Sequence, residues 1–355
     1  MVADRGAWQV TEFDPGAATP DAWARYHAFR RARHAEVTPD DPVAPDDVAG
    51  RQLAHMHASD PESEHRWFVV EADGQIVSRL AINALRPETP MYETNRHLLF
   101  ADAAVLAPYR RRGIGSLWLR RVLAEMDARG ATVLTAESSE PDGHGFLAWL
   151  GARQVLSGAE NRLDFEAIDW GMVDEWIAAG KRRSPETELV LHEGRLPEAI
   201  WVEFCARRSD LLNTMPFDDM DHGEIVFTPE VLASYYERLD IAGGDHHTLV
   251  TREPDGTISG ITDVLWESTK PTFVAQLFTG VDPAYRRAGK GKLLKAGMLR
   301  FLRGRYDGLA WVTTGNAASN ASMLAINHQL GFREHRGGTM YQMDREALAA
   351  FVEGL

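Results

Sequence analysis

The sequence predicts two consecutive domains of one kind, each combining strands with helices, and three observations carry that prediction. The segment Val105-Leu-Ala-Pro-Tyr109-Arg110-Arg-Arg-Gly113-Ile-Gly115 returns as Val281-Asp-Pro-Ala-Tyr285-Arg286-Arg-Ala-Gly289-Lys-Gly291, with its Val, Tyr, Arg and Gly positions all displaced by 176 residues. A hairpin pattern with an Asp-Gly turn precedes each copy, and an amphipathic helix pattern follows each. A repeat of this length means one supersecondary order built twice. At about 150 residues per domain, a chain of 355 has room for two cores.

The elements read in the same order in both halves. Helical periodicity covers 21–35 and 47–58 in the first half, and 197–208 and 229–239 in the second. Hairpins follow at 67–72 with 75–82, and at 247–252 with 257–265. Their turns are Asp73-Gly74 and Asp255-Gly256, residues that supply the positive φ angles of a tight turn. Apolar strands at 98–105 and 273–281 then run into the Arg/Gly segment. Behind it, Ile114, Leu117, Trp118, Val122 and Met126 form a helical stripe that stops at Gly130. Leu294, Met298, Phe301 and Leu302 do the same in the second half, ending near Gly308. β-branched runs at 132–135 and 311–314, a further helix, and the pairs Gly151-Ala152 and Gly331-Phe332 lead to the last strands. An amphipathic helix over 170–183 links the halves. The domains are therefore expected at 1–183 and 184–355.

Composition excludes several classes. An apolar share of 44% with 25% charged residues is that of a globular chain, not a disordered one. Apolar runs fall short of the ~20 residues that span a bilayer, and Met1-Val2-Ala3-Asp4-Arg5 lacks a signal-peptide core. The single Cys205 forbids an intrachain disulfide, so a cytoplasmic protein with a buried structural thiol is expected. A net charge of −14 argues against nucleic acid and suits a cationic small molecule. His55, His57, His246 and His247 lack a third ligand at metal spacing and read as packing or surface residues, with no metal expected. Trp118, Trp149, Trp266 and Trp311 fall at core periodicity, and the basic run from Arg30 to Arg33 reads as a solvated face.

The Arg/Gly turn carries the chemistry. A helix start leaves N–H groups without intrahelical partners and favours negative charge, and glycines let phosphate oxygens approach the backbone. The expected diphosphate cradles are Arg110, Arg111, Arg112, Gly113, Ile114, Gly115 and Ser116 in the first half, and Arg286, Arg287, Ala288, Gly289, Lys290, Gly291 and Lys292 in the second. A Walker loop is ruled out because Gly289-Lys290-Gly291-Lys292 lacks the upstream Gly and the hydroxyl. Trp118 and Leu294 stand where a dinucleotide fingerprint needs its third Gly.

Strand, Val-x-x-x-Tyr-Arg-Arg-x-Gly-x-Gly, helix, strand, and a helix ending in Leu-Gly-Phe together resemble the acyl-coenzyme A signature of the GCN5-related N-acetyltransferases (GNAT). The stretch from Thr279 to Phe332, with Asn316, Asn320 and Asn327, is similar to tandem GNAT proteins of actinobacterial type, among which mycothiol synthase shares the two-domain organisation. The resemblance is strong over 247–344 and looser over 60–165. It implies two tandem mixed α/β domains, each with a predominantly antiparallel sheet and helices on both faces. It further implies acetyl-CoA or another short acyl-CoA, with the pantetheine arm lying between two splayed strands near Val105 or Val281. A strand N–H would polarise the thioester, and an amine would attack directly. The family's acidic tyrosine, four residues before the Gly-Phe pair, is replaced by Leu147 and Asn327. Asn327 is able to donate a hydrogen bond to the leaving thiolate. Asn320 matches a family asparagine where the first half has Glu140, so the C-terminal half is the expected catalytic one.

For the general base, Gln276 and Thr279 are placed to hold a water, and Glu267 ends the neighbouring strand. Asp218, Asp219, Asp221 and Glu224 fall in the region that shapes the acceptor pocket in the family, where carboxylates attract an ammonium. Asp102 is the parallel candidate in the first half. The expected activity is N-acetylation of a primary amine on a small cationic metabolite or antibiotic, by a monomer or homodimer without nucleic acid or membrane. The alternatives are a non-catalytic acyl-CoA-binding module and a mycothiol-synthase-like acetylation of a cysteinyl sugar.

Overall fold

The computed structural model describes residues 8–355, so the reading of Met1–Arg5 lies outside the described residues. The strands, in chain order, are β1 (Val10–Phe13), β2 (Ser63–Ala72), β3 (Gln75–Leu85), β4 (Leu98–Val105), β5 (Val133–Ser138), β6 (Arg153–Asp164), β7 (Glu188–His192), β8 (Gly244–Arg252), β9 (Ile258–Glu267), β10 (Phe273–Val281), β11 (Trp311–Ala317) and β12 (Arg333–Asp344). The helices are α1 (Pro20–Val37), α2 (Asp46–Ser59), α3 (Tyr92–Asn95), α4 (Ile114–Arg129), α5 (Pro141–Leu150), α6 (Trp170–Arg183), α7 (Trp201–Leu212), α8 (Pro229–Ala242), α9 (Lys290–Arg305), α10 (Ala321–Leu330) and α11 (Arg345–Glu353). Both hairpins turn at their Asp-Gly pairs, where Asp73, Gly74 and Gly256 take positive φ.

Two compact units result, and neither is a contiguous half of the sequence. One holds the described residues up to Val155 with Asp219–Glu224 and Thr339–Leu355; the other holds Leu156–Asp218 and Ile225–Gly338. In the first the strand order is β1-β2-β3-β4-β5-β12, with Thr339–Asp344 of β12 pairing β5. In the second it is β6-β11-β10-β9-β8-β7, with residues 158–164 of β6 pairing β11. Each unit thus takes its closing strand from the other half of the repeat. The closing helices follow suit, α11 packing on α4 and α6 on α9. The helix over 170–183, expected in the N-terminal domain, therefore lies in the second unit.

Pairings β4–β5 and β10–β11 are parallel, and the other described pairings are antiparallel. Because strand side chains alternate between faces, each sheet carries two cores. Phe68, Val70, Leu80 and Ile82 meet Trp118, Val122 and Met126 of α4 on one face of the first unit, while Trp67 and Val69 meet Tyr26 and Phe29 of α1 on the other. In the second unit Val264 and Val274 meet Leu294, Met298 and Leu302 of α9, while Ile261 and Phe278 meet Phe204 of α7 and Tyr236 of α8. Trp118 and Trp266 pack as expected, but Trp149 is half exposed and rests edge-on against Phe351.

Candidate active site

In both units the central parallel pair opens. β4 and β5 are joined only through Leu98, Leu99 and Phe100, and β10 and β11 only through Phe273, Val274 and Ala275. Beyond those residues β4 continues to Val105 and β10 to Val281, leaving one side of each strand without a sheet partner. Such unpaired backbone is a template for an extended group.

The Arg/Gly turns close the open ends with the same backbone conformation. Arg111 and Gly113 have φ of 59° and 89°, and Arg287 and Gly289 have 69° and 82°. A left-handed arginine is a strained choice at any position, and its recurrence 176 residues on points to a constrained function. Neither α4 nor α9 has a side-chain cap or an acidic residue in its first turn, whereas Thr19, Asp169, Thr228 and Asn320 cap α1, α6, α8 and α10. The bare N–H groups at Gly113–Ser116 and Gly289–Lys292 are those a diphosphate would meet. Arg110 Nε donates to the Val105 carbonyl at 3.0 Å, and Arg286 Nε to that of Val281 at 2.9 Å.

From there the units diverge. In the first, Arg110 reaches across the opening: Nη1 donates to Asp142 Oδ2 at 2.6 Å, and Nη2 to Glu140 Oε2 at 3.4 Å and Glu36 Oε2 at 3.3 Å. Arg33 adds ion pairs to Glu36 and Glu140, so its run is not simply a solvated face. The gap between β4 and β5 is bridged by ionic contacts. In the second unit Arg286 Nη2 donates to Thr214 Oγ1 at 2.9 Å, and Asn320, standing for Glu140, serves as the cap of α10. A Cβ on Gly289 would come within 2.9 Å of Arg183 Nη1. The guanidinium at the end of α6 thus lies against the bare turn, and the second cradle fits a diphosphate in both shape and charge.

Strand β10 carries a bulge that β4 lacks. Its register with β9 runs Val281↔Gly260 to Phe278↔Asp263, then resumes at Gln276↔Val264, leaving Leu277 unpaired. Pairing of β4 with β3 is continuous from Val105↔Ser78 to Phe100↔Asn83. The bulge is therefore a one-residue insertion into the repeat, and Leu277 is exposed.

Opposite the bulge, on the α7/α8 face, lies a cluster that sequence reasoning missed. Asp263 is 1% exposed; its Oδ2 accepts from Arg208 Nη1 at 2.6 Å and His246 Nε2 at 3.0 Å, while Oδ1 is buried without a partner. Burial opposes its charge, but Arg208 and His246 outweigh burial and hold the carboxyl below the usual range. Tyr236 Oη, which accepts from the Leu196 N–H at 2.9 Å, faces His246 Nδ1 at 3.2 Å. Tyr235, whose ring meets His246 edge-on, has a buried hydroxyl with no partner, and burial pushes that phenol up. Orphaned buried polar atoms are rare and costly. The only sequence signal was an acid inside an otherwise apolar strand, Ile261-Thr262-Asp263-Val264-Leu265.

The predicted residues scatter. Gln276 and Thr279 meet beneath the bulge, Gln276 Nε2 donating to Thr279 Oγ1 at 3.2 Å. Glu267 pairs with Gly244 at the end of β9 remote from the cradle, so Asp263 and not Glu267 is the strand carboxylate at the bulge. Asp218 belongs to the second unit, but Asp219, Asp221 and Glu224 belong to the first. There the Asp221 carboxylate accepts from His97 Nε2 at 3.0 Å and the Glu224 carbonyl from Asn95 Nδ2 at 3.0 Å. Lys290 is buried and its ammonium is held by Glu253 Oε1 at 2.7 Å and Thr187 Oγ1 at 2.6 Å, leaving only its N–H to the cradle. Lys292 lies over the Trp176 ring and donates to Gln329, and Ile114 is a core residue. Asn327 is fully buried, its Nδ2 donating to Asn316 Oδ1 at 2.6 Å and its Oδ1 unpartnered, and Leu147 is buried. Asp102 is paired with Arg79. Cys205 is buried, its thiol pushed up to about 12 by desolvation, as befits a structural residue. His247 is a packing residue between Gly194 N and Tyr306 Oη, and the described residues hold no metal-ligating cluster.

Each unit thus combines a splayed parallel pair with an uncapped, glycine-opened helix start. Residues 26–151 match the sequence model of the Acetyltransferase (GNAT) family. Solved structures match over nearly the whole chain. A tandem GNAT protein from the clavulanic acid biosynthesis pathway has a TM-score of 0.70 and 19% identity, covering 95% of this chain and 98% of its own. A GCN5-related N-acetyltransferase from Sphaerobacter thermophilus has a TM-score of 0.60 and 14% identity, covering 97% of each chain. A GCN5-related glucosamine N-acetyltransferase region of a fungal multi-domain β-N-acetylglucosaminidase has a TM-score of 0.61 and 13% identity, covering 95% of this chain and 38% of its own. No curated protein matches the sequence. Residues 26–151 thus carry a GNAT-family domain, and the chain has the tandem GNAT fold over its length. No helix of the described residues is long and apolar enough to cross a membrane.

Proposed function

We propose that the second unit is the catalytic one and acylates a primary amine carried by a small cationic molecule, using acetyl-CoA or another short acyl-CoA. The observation that carries this reading is the free Oδ1 of Asp263 beside the bulge at Leu277, in the unit whose opening is not bridged. A buried carboxylate held ionised by Arg208, with one oxygen unpartnered and the Tyr235 hydroxyl beside it, suits an ammonium group.

The bound acyl-CoA supplies the activated thioester. The N–H groups of Gly289–Lys292 and the Arg183 and Arg287 guanidiniums would hold its diphosphate, and the unpaired edge of β10 from Leu277 to Val281 would receive the arm. Asp263 draws and orients the ammonium, and His246 is the imidazole of that cluster that can carry a proton away. Neutral amine would then attack the thioester carbonyl carbon directly, the C–N bond forming as the C–S bond breaks and CoA leaving as the thiol with the proton the amine sheds; no protein acyl intermediate is involved, which agrees with the buried Cys205.

The first unit, bridged by Arg110, Glu140 and Asp142, acts as a structural half. Release of free thiol from acetyl-CoA on a panel of primary amines tests the proposal: turnover is expected with at least one diamine or amino sugar. Tight acetyl-CoA binding with no turnover on any amine would instead support a non-catalytic binding module.

A further inference from the structure

Four positions beneath β10 differ in concert between the units. In the first they are Leu80, Ala101, Ala103 and Leu119; in the second, matched by strand register and by the 176-residue displacement of the helix, they are Thr262, Gln276, Thr279 and Lys295. Every apolar side chain has become polar, and the new groups bond to one another. Lys295 Nζ donates to Gln276 Oε1 at 2.6 Å; Gln276 Nε2 donates to Thr262 Oγ1 at 2.9 Å and Thr279 Oγ1 at 3.2 Å. The two threonine hydroxyls are 2.7 Å apart, and Thr262 Oγ1 donates to the Phe278 carbonyl at 3.2 Å. Lys295 is 2% exposed, its ammonium also over the Phe332 ring, with no carboxylate in contact among the described residues. A buried lysine without a counter-ion is costly.

The bonds fall on both sides of Leu277: on the side chain of Gln276 before it, and on the Phe278 carbonyl and Thr279 hydroxyl after it. We propose that Lys295 is a positioning residue that holds the β10 bulge, through Gln276, in the geometry that presents the Leu277 and Phe278 backbone to the reacting acyl group. This rests on the acyltransferase reading of the second unit. A continuous strand such as β4 needs no such brace, which is why apolar residues serve in the first unit.

Amide hydrogen exchange of the full chain tests the bracing without reference to turnover. Lys295→Met and Gln276→Ala should each speed exchange across 276–279 by about tenfold or more and leave 98–105 unchanged, and the double variant should do no more than either single change. Unaltered exchange in Gln276→Ala, which keeps the lysine and so the fold, would overturn the proposal. In the amine assay Lys295→Met should lower kcat at least about tenfold with the KM for acetyl-CoA changed less than about twofold. Faster exchange with unchanged kcat overturns the link to the reaction. Absence of turnover in the wild-type protein counts against the acyltransferase reading, while the exchange result still decides the brace.

Discussion

Arg110 Nη1 lies 2.6 Å from Asp142 Oδ2, on the far side of the gap between β4 and β5, whereas Arg286, its counterpart, donates to Thr214 instead. The same arginine at the same turn therefore bridges one cleft and leaves the other open. The protein is expected to bind one equivalent of acetyl-CoA by calorimetry. Glu140→Asn combined with Asp142→Ala, which removes the carboxylates facing Arg110 from α5, should raise the stoichiometry toward two. Two equivalents in the wild-type chain would show that the bridge does not exclude the cofactor.

The cradles can be separated by glycine substitutions. Gly289→Glu places a Cβ at φ 82°, a cost of about 1–2 kcal/mol in backbone strain alone, and brings negative charge to the diphosphate site. Binding should be lost. Gly113→Glu, with φ 89° and no atom within 4 Å of the added Cβ, should leave binding intact. The reverse pattern would move the cofactor site to the first unit.

Tyr235→Phe removes a hydroxyl that has no partner, so as a structural change it should be neutral or stabilising. If that hydroxyl meets the acceptor, kcat/KM for the amine should fall about tenfold or more, while the Kd for acetyl-CoA stays fixed. Unchanged amine kinetics would remove Tyr235 from the acceptor site. The tyrosine is the better probe because Asp263→Asn also strands the buried Arg208 charge, at about 3–5 kcal/mol of stability.

Three buried groups contribute to the pH dependence of stability, and Glu62, pushed up to about 7 by burial and by Asp60, opposes His247 in the acid limb. Desolvation lowers His247 to about 4 from its ordinary 6.5, so the unfolded chain takes up its proton first as pH falls. The His247 contribution to stability is lost between pH 6.5 and 4, by at most roughly 3 kcal/mol. His247→Gln, which keeps a donor and an acceptor, should flatten that limb in urea titrations. Burial likewise lowers Lys295 to about 7 from 10.5. The native state sheds that proton before the unfolded state does, so stability should rise as pH climbs from 7 toward 10. Lys295→Met should abolish the rise; a persisting slope would assign it to another group.

Local signals carried much of the architecture. Strands Leu98–Val105 and Phe273–Val281 and helix Trp170–Arg183 begin and end where the sequence places them, because apolar alternation, Gly stops and the basic last turn act within a few residues. The cradles were legible for the same reason: a helix start with bare N–H groups is built from consecutive positions. Trp149 misled because core periodicity does not say whether a facing layer exists. The pairing of the Lys290 ammonium with Glu253, 37 residues away, was not legible, because a lysine beside a Gly-x-Gly turn looks the same in sequence whatever it meets.

The sequence by itself determined a duplicated α/β order with two glycine-opened helix starts. Only the tertiary structure decided which strands close each unit, since β6 and β12 offer similar patterns to the edges of β5 and β11. It also decided which strand carboxylate is buried beside the β10 bulge. Asp263 meets Arg208 and His246 across distances in sequence of 55 and 17 residues, and no local pattern encodes such a meeting. Burial then removes the competing water, so pairing that would be weak on the surface holds this carboxyl below its usual range.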